Sequence, residues 1–192
     1  RLAIIPARGG SKRIPKKNIR NFCGKPMISY IIKSAEESNL FNKIHISSDS
    51  LEIINCVKNL GYEPDFKRPD YLSGDYTTIM EVLKFVVEKY KSLNQIFDEI
   101  WLLMACSPLI KSSHLIEAAT QYKDSSIDKL LAITEYSVPI DWAFKMDKKN
   151  NLYPIYPGKF SIRSQDIKKT YYDAGAFAIF KNKNILISDT NK

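Results

Sequence analysis

Apolar residues recur along this chain in two alternating patterns. Unbroken runs, Leu2 to Ile5 and Glu99 to Ala105, read as strands buried on both faces. Lys43 to Ser47 alternates as a half-buried strand does, and Tyr62 to Phe66 and Lys129 to Thr134 read as two further short strands. Between them the spacing changes to that of a helix. Ile28, Ile31, Ile32 and Ala35 predict one opening at Pro26. Leu51, Ile54 and Val57 predict a second, capped within Ser48-Asp49-Ser50 and ended by Gly61. Ile79, Val82, Leu83, Val86, Val87 and Tyr90 hold the longest helical stripe, and Leu115, Ala119 and Tyr122, after Pro108, hold the last.

Strands alternating with helices predict βαβ units, right-handed crossovers and a mostly parallel sheet, the α/β class. The alternation breaks after Thr134. Tyr136 to Phe160 carries Pro139, Pro154, Pro157 and Gly158 among many aromatics, which predicts a hairpin or arm instead of another βα unit. Order returns at Tyr171 to Phe180, with a short tail around Ile185 and Leu186.

A length of 192 residues suits one domain with a full-sized core, with the arm at about residues 136–170 as its protrusion. The net charge of +8 suits an anionic partner. That charge is uneven: no Asp or Glu precedes Glu36, so the sequence points to one local anion site. Cys23, Cys56 and Cys106 are odd in number and widely spaced, which argues against a zinc site or a disulfide framework and for a reducing cytoplasm. No apolar run is long enough for a membrane span, and no signal peptide is visible. The chain opens at Arg1 instead of Met, as a trimmed product does.

The basic charge concentrates after the first strand. Pro6 breaks the run, and a loop follows with Gly9, Gly10 and the cations Arg8, Lys12, Arg13, Lys16 and Lys17. A strand feeding a glycine-bearing basic loop is how α/β proteins hold phosphates: glycine lets backbone N–H groups approach an anion, and Arg and Lys add charge-assisted hydrogen bonds. Neither G-x-x-x-x-G-K-[ST] nor G-x-G-x-x-G is present, so the chain is neither a P-loop NTPase nor a bearer of the dinucleotide fingerprint. On charge alone the loop equally suits a solvated surface or a nucleic-acid patch.

Fixed residue types at fixed offsets are more specific than charge. Ile5-Pro-Ala-Arg-Gly-Gly-Ser-Lys12, Pro15-Lys-Lys-Asn18 and Gly24-Lys-Pro26 resemble the N-terminal signature of the CMP-sialic acid synthetase family. These enzymes join CTP to a nonulosonic acid. Arg68-Pro-Asp-Tyr-Leu72 resembles the family's R-P-x-x-L segment. Leu102 to Leu109 matches a strand end that many relatives write Gln-Pro-Thr-Ser-Pro; here Met104 replaces the Gln, while Ser107 and Pro108 fit. Arg163-Ser-Gln-Asp166 with Asp173-Ala-Gly175, where sialic acid enzymes carry a Pro-Asn-Gly turn, is most similar to the pseudaminic acid cytidylyltransferase branch.

The resemblance implies a three-layer Rossmann-like nucleotidyltransferase fold and a CTP-dependent cytidylyltransferase. Its products are pyrophosphate and the CMP derivative of a nine-carbon 2-keto sugar acid. Pseudaminic acid is favoured over N-acetylneuraminic and legionaminic acids; the reading from another class is a non-catalytic nucleic-acid-binding domain. By position, Arg8, Lys12 and Lys17 are the catalytic cations, and Ala7, Arg8, Gly9, Ser11, Lys12, Asn18, Arg68 and Thr78 bind nucleotide. Thr77 is the alternative to Thr78 for the hydroxyl. Ser107, Arg163, Gln165 and Asp173 take the sugar, although Arg163 and Asp166 also suit a surface pair with each other. Cys106 reads as a small apolar filler, and neither His45 nor His114 is given a catalytic role. The family's arm crosses to a second subunit, so a homodimer is expected, with no nucleic acid or membrane partner.

Mg²⁺ is the implied cofactor, held in relatives by an Asp-x-Asp near the C-terminus. This sequence ends Ser188-Asp-Thr-Asn-Lys192 without one, so no metal ligand is assigned. The expectation is that the gene product continues or lacks its metal site, and that residues 1–192 bind CTP yet turn over slowly.

Overall fold

The computed structural model describes residues 1–123 and 126–187. In chain order come β1 (Leu2–Pro6), a small ribbon of β2 (Asn21–Phe22) and β3 (Lys25–Pro26), α1 (Met27–Glu37), β4 (Lys43–Ser47), α2 (Leu51–Lys58) and α3 (Ile79–Ser92). There follow β5 (Glu99–Leu103), α4 (Ser112–Gln121), β6 (Lys129–Glu135), β7 (Phe144–Met146), β8 (Leu152–Pro154), β9 (Tyr171–Lys181) and α5 (Asn182–Ile187). The chain forms two compact units: Arg1–Leu131 with the stretch from Ala176 onward, and Ala132–Gly175.

The main sheet runs β4-β1-β5-β9-β6. β1 pairs parallel with both β4 and β5, and its core residues are fully buried. From β1 the chain crosses outward to β4, then returns past β1 to β5. Right-handed crossovers therefore send α1 and α3 to opposite faces of the sheet. The reversal of strand order also opens a crevice beyond the carboxyl end of β1, where α/β proteins bind ligands.

The period-2 alternation of the strands divides the core. Leu2, Ile4, Ile100, Ala178 and Phe180 pack with Leu83, Val86, Val87 and Tyr90 of α3. A helix of this length is marginal alone in water; burying such a side chain contributes roughly 1.5–3 kcal/mol, so packing fixes α3. Its start is set by a capping box, with Thr78 accepting from Glu81 N–H and the Glu81 carboxylate accepting from the Thr78 backbone N–H. Among the described residues no helix is long and apolar enough to cross a membrane.

Two expectations are corrected. β9 pairs antiparallel with β5, from Glu99 opposite Lys181 to Leu103 opposite Phe177, so the sheet is mixed: β4, β1 and β5 run parallel and β9 runs against them. A buried apolar strand reads the same in either direction, and the sequence cannot orient it. Tyr62 to Phe66 is not a strand. Instead the Tyr62 N–H closes the end of α2 on Val57 O, the Phe66 ring lies 4.4 Å from that of His45, and Asp65 pairs with Lys43 at 2.7 Å.

His45 is wholly buried on β4. The Tyr90 hydroxyl donates to Asp65, so His45 Nδ1 donates to the Tyr90 oxygen, 3.1 Å away. His45 Nε2 is left buried with no hydrogen-bond partner. Burial, opposed by Asp65 and aided by Lys43 and Arg68, pushes the imidazole down to about 4. His114 receives the Lys111 backbone N–H at the start of α4.

In the second unit, β7 and β8 form an antiparallel hairpin. Trp142 Nε1 donates to Ile162 O at 3.2 Å, and the Phe160 ring contacts those of Trp142 and Phe144. Phe144, Tyr153, Tyr156 and Phe160 stay 40–61% exposed.

Candidate functional site

The basic loop leaves β1 at Pro6 and is pinned at once. Ala7 is buried and its N–H donates to Ser47 O at 2.9 Å; Gly9 N–H donates to Asp49 Oδ1 at 3.0 Å. The anion that Gly9 meets is thus the protein's own carboxylate, which corrects the expectation of a free backbone donor there. A Cβ on Gly9 would lie 2.9 Å from Ser50 Cβ, so close packing against the β4–α2 turn is what requires glycine. The loop closes at Lys16, in a left-handed conformation (φ 53°), before a 3-10 turn at Lys17–Ile19. Asn18, buried in that turn, donates to Arg8 O at 3.0 Å and accepts from the Cys106 thiol at 3.3 Å. Cys106 is therefore a hydrogen-bonding partner of the loop and not only a filler. Burial raises its thiol pKa, with Lys17 opposing.

Beyond the end of β1 lies a cavity of about 750 Å³, a size that suits a nucleotide. Five cations line it, Arg8, Lys12, Arg13, Lys17 and Arg68, against one carboxylate, Asp75. Leu72, Ile79, Val82, Met104 and Ala105 supply an apolar wall. Arg8 Nη1 donates to Gly74 O at 3.0 Å and to Asp75 at 3.2 Å, and Lys12 also pairs with Asp75. Lys12 first, then Arg8, holds the Asp75 carboxyl below the usual carboxylate range.

Arg68 sits at the cavity floor, only 3% exposed. Its backbone N–H donates to Ser48 O at 2.8 Å; Nε donates to Ser47 Oγ at 3.1 Å and Nη2 to Ser47 O. Burial lowers its pKa to about 10 despite the opposing Asp49, while Arg8 pushes the same way as burial.

The structure brings Arg8, Ser11, Lys12, Lys17, Asn18 and Arg68 together on this cavity. Thr78 is not among them: its hydroxyl is spent on Glu81 as the cap of α3, and Thr77 lines the cavity instead. Ser107 does not line it either; its carbonyl accepts from Ile110 N–H. The other sugar residues belong to the second unit. Arg163 pairs with Asp166 at 2.9 Å and is exposed, the surface pair that the sequence also suits. Gln165 Oε1 accepts from Ser164 Oγ, and Asp173 Oδ1 accepts from Gly175 N–H at 2.8 Å within β9. Sequence reasoning missed Ser47, Asp49 and Asp75 as partners of the basic side chains and loop. Only Asp75, close after the R-P-x-x-L match, left a signal that could have been followed.

The Asp-x-Asp expectation concerns positions after 187, outside the described residues. Among the described residues no group of three or more His, Cys, Asp or Glu could hold a metal ion, so these residues do not by themselves fit the implied Mg²⁺.

Residues 2–188 match the cytidylyltransferase family. The chain is 41% identical over 188 residues to the pseudaminic acid cytidylyltransferase of Campylobacter jejuni subsp. jejuni, covering 98% of this chain and 81% of that one. It is 33% identical to the N-acylneuraminate cytidylyltransferase of Streptococcus agalactiae, over 96% of this chain and 44% of the relative. Among solved structures it is similar to a CMP:2-keto-3-deoxy-manno-octonic acid synthetase complexed with CTP. The TM-score is 0.71 at 16% identity, covering 96% of this chain and 75% of that one, a likeness of fold.

Proposed function

Since this chain belongs to the cytidylyltransferase family, we propose that it transfers the cytidylyl group of CTP to pseudaminic acid. The anomeric hydroxyl of the sugar acid attacks the α-phosphorus. The bond to the leaving phosphate oxygen breaks, pyrophosphate departs, and the hydroxyl proton is released. One observation carries the nucleotide half: five cations converge on one nucleotide-sized cavity at the switch point of the sheet. The sugar half rests on the similarity to the Campylobacter enzyme and on Arg163-Ser-Gln-Asp166 with Asp173-Ala-Gly175.

In this reading Arg8, Lys12 and Lys17 neutralise and orient the triphosphate. Asn18 fixes the loop that presents them, and Arg68 donates to the base or ribose. Arg163, Gln165 and Asp173 select the acid; a site built on polar pairing rejects a mismatched sugar far better than an apolar one. The three free cysteines suit the cytoplasm, where CTP is available. The test is to incubate the protein with CTP, Mg²⁺ and each candidate acid and follow pyrophosphate. Pseudaminic acid is expected to be preferred, and preference for N-acetylneuraminic acid overturns the sugar assignment. Thermal shifts with CTP, ATP and a short duplex separate this reading from nucleic-acid binding, which collapses with salt and ignores nucleotide identity.

Asp75 occupies the two cations that the triphosphate needs. Asp75→Asn is expected to tighten CTP binding about two- to fivefold, the scale of an exposed ion pair, as read by calorimetry. Weaker binding in the variant would show that Asp75 supports the ligand and does not compete with it.

The exposed aromatics of the second unit suit a partner of the same kind, and the protein is proposed to be a homodimer through this unit. Sedimentation at micromolar concentration is expected to give twice the 22.1 kDa chain mass. A species of single chain mass rejects the dimer.

A further inference from the structure

We propose that Ser47 is a positioning residue for nucleotide binding, acting through Arg68; this rests on the reading that Arg68 donates to CTP. Arg68 is almost fully buried, yet among the described residues no carboxylate comes within ion-pair distance of it, Asp49 favouring its charge only from further away. A buried, unpaired cation is costly, so something other than an ion pair must hold it. Ser47 does so with two acceptors at once, its hydroxyl on Nε and its carbonyl on Nη2. That engages one edge of the planar guanidinium and, among the described residues, leaves the Nη1 donors uncommitted on a side chain that lines the cavity.

The backbone completes the clamp. Pro69 restricts residue 68 to extended conformations, and the Arg68 N–H is fixed to Ser48 O. Ser47 O also receives the Ala7 N–H, where the basic loop begins. One residue at the carboxyl end of β4 thus sets both the floor cation and the origin of the loop. Ser47 is itself fully buried, so its hydroxyl is placed here to accept from Arg68 and not to meet solvent. Lysine in place of Arg68 has a single charged head and cannot bond Ser47 along one edge while presenting another.

The test measures CTP affinity by calorimetry, with melting temperature alongside, for Ser47→Ala, Ser47→Cys, Arg68→Lys and the Ser47→Ala/Arg68→Lys pair. Ser47→Cys keeps the volume while weakening the acceptor, so it covers a folding failure of the alanine variant. Each Ser47 variant is expected to raise the Kd for CTP roughly ten- to hundredfold, the range for a hydrogen bond to a charged group. KM should rise in step with little change in kcat, since a ground-state contact is lost. In the Arg68→Lys background the Ser47 change should add less than about twofold, because residues acting as one unit are not additive. Wild-type affinity in the Ser47 variants, or losses that multiply, overturns the inference. Wild-type affinity in Arg68→Lys overturns it through its premise, and no CTP binding by the wild-type protein overturns the proposed function itself.

Discussion

Lys12→Ala and Lys17→Ala are each expected to lower cytidylyl transfer roughly ten- to hundredfold, and Arg13→Ala far less. All three side chains border the same cavity, so position alone does not rank them. Their anchoring does. Lys12 is held at the cavity by Asp75, whose place the triphosphate takes, and Lys17 opens a 3-10 turn whose next residue, Asn18, is buried and bonded to Arg8 O and Cys106. Arg13 lies exposed in the bend and makes no hydrogen bond or ion pair among the described residues. A preorganised cation stabilises developing charge without reordering at the moment of reaction, whereas a solvated one must first be fixed. Steady-state rates at saturating sugar check this. Equal, mild losses for all three variants would mean that the loop is merely a solvated basic surface.

Stability is expected to fall by about 3 kcal/mol between pH 7 and pH 4, through His45 alone. Folded, this imidazole titrates at about 4; unfolded, it returns to 6.5. Within that window the unfolded chain takes up a proton that the folded chain refuses, so acid favours unfolding. The contribution is complete above pH 6.5 and gone below about 4. Asp65, whose carboxyl sits below its usual value, loses its contribution only at still lower pH. Urea melts across the window should show this slope in the wild type and a shallower one in His45→Gln. An equal slope in both would assign the acid sensitivity to other groups.

Much of this molecule is legible in its sequence because the relevant signals are local. The stripe from Ile79 to Tyr90 needs only helical spacing, and the run at Leu2 to Ile5 needs only continuity. The basic loop stands out because no acid interrupts it. What sequence hides is set by chain segments far apart. The direction of β9 depends on how the chain returns to the sheet. The stretch from Tyr62 to Phe66 instead packs its Phe66 ring on His45 and Tyr90, residues distant in the chain. Thr77 and Thr78 are adjacent and chemically alike; only the register of α3 makes one a cap and leaves the other for the cavity. Ser47 reads as an ordinary strand-end serine until Arg68 is seen to close on it.

The contact between Gly9 and Ser50 makes α2 a gauge of the basic loop. Ser50 caps α2 by accepting from Ile53 N–H, while Asp49 holds Gly9 and Glu52, in the first turn, holds Lys16 at 2.6 Å. The loop and the first turn of α2 are therefore stitched together, and opening one loosens the other. Amide hydrogen exchange at Ile53 and Ile54, which carry no ligand contact, should slow when CTP immobilises the loop. A helix that binds nothing would then report, one amide at a time, how firmly the nucleotide holds the loop.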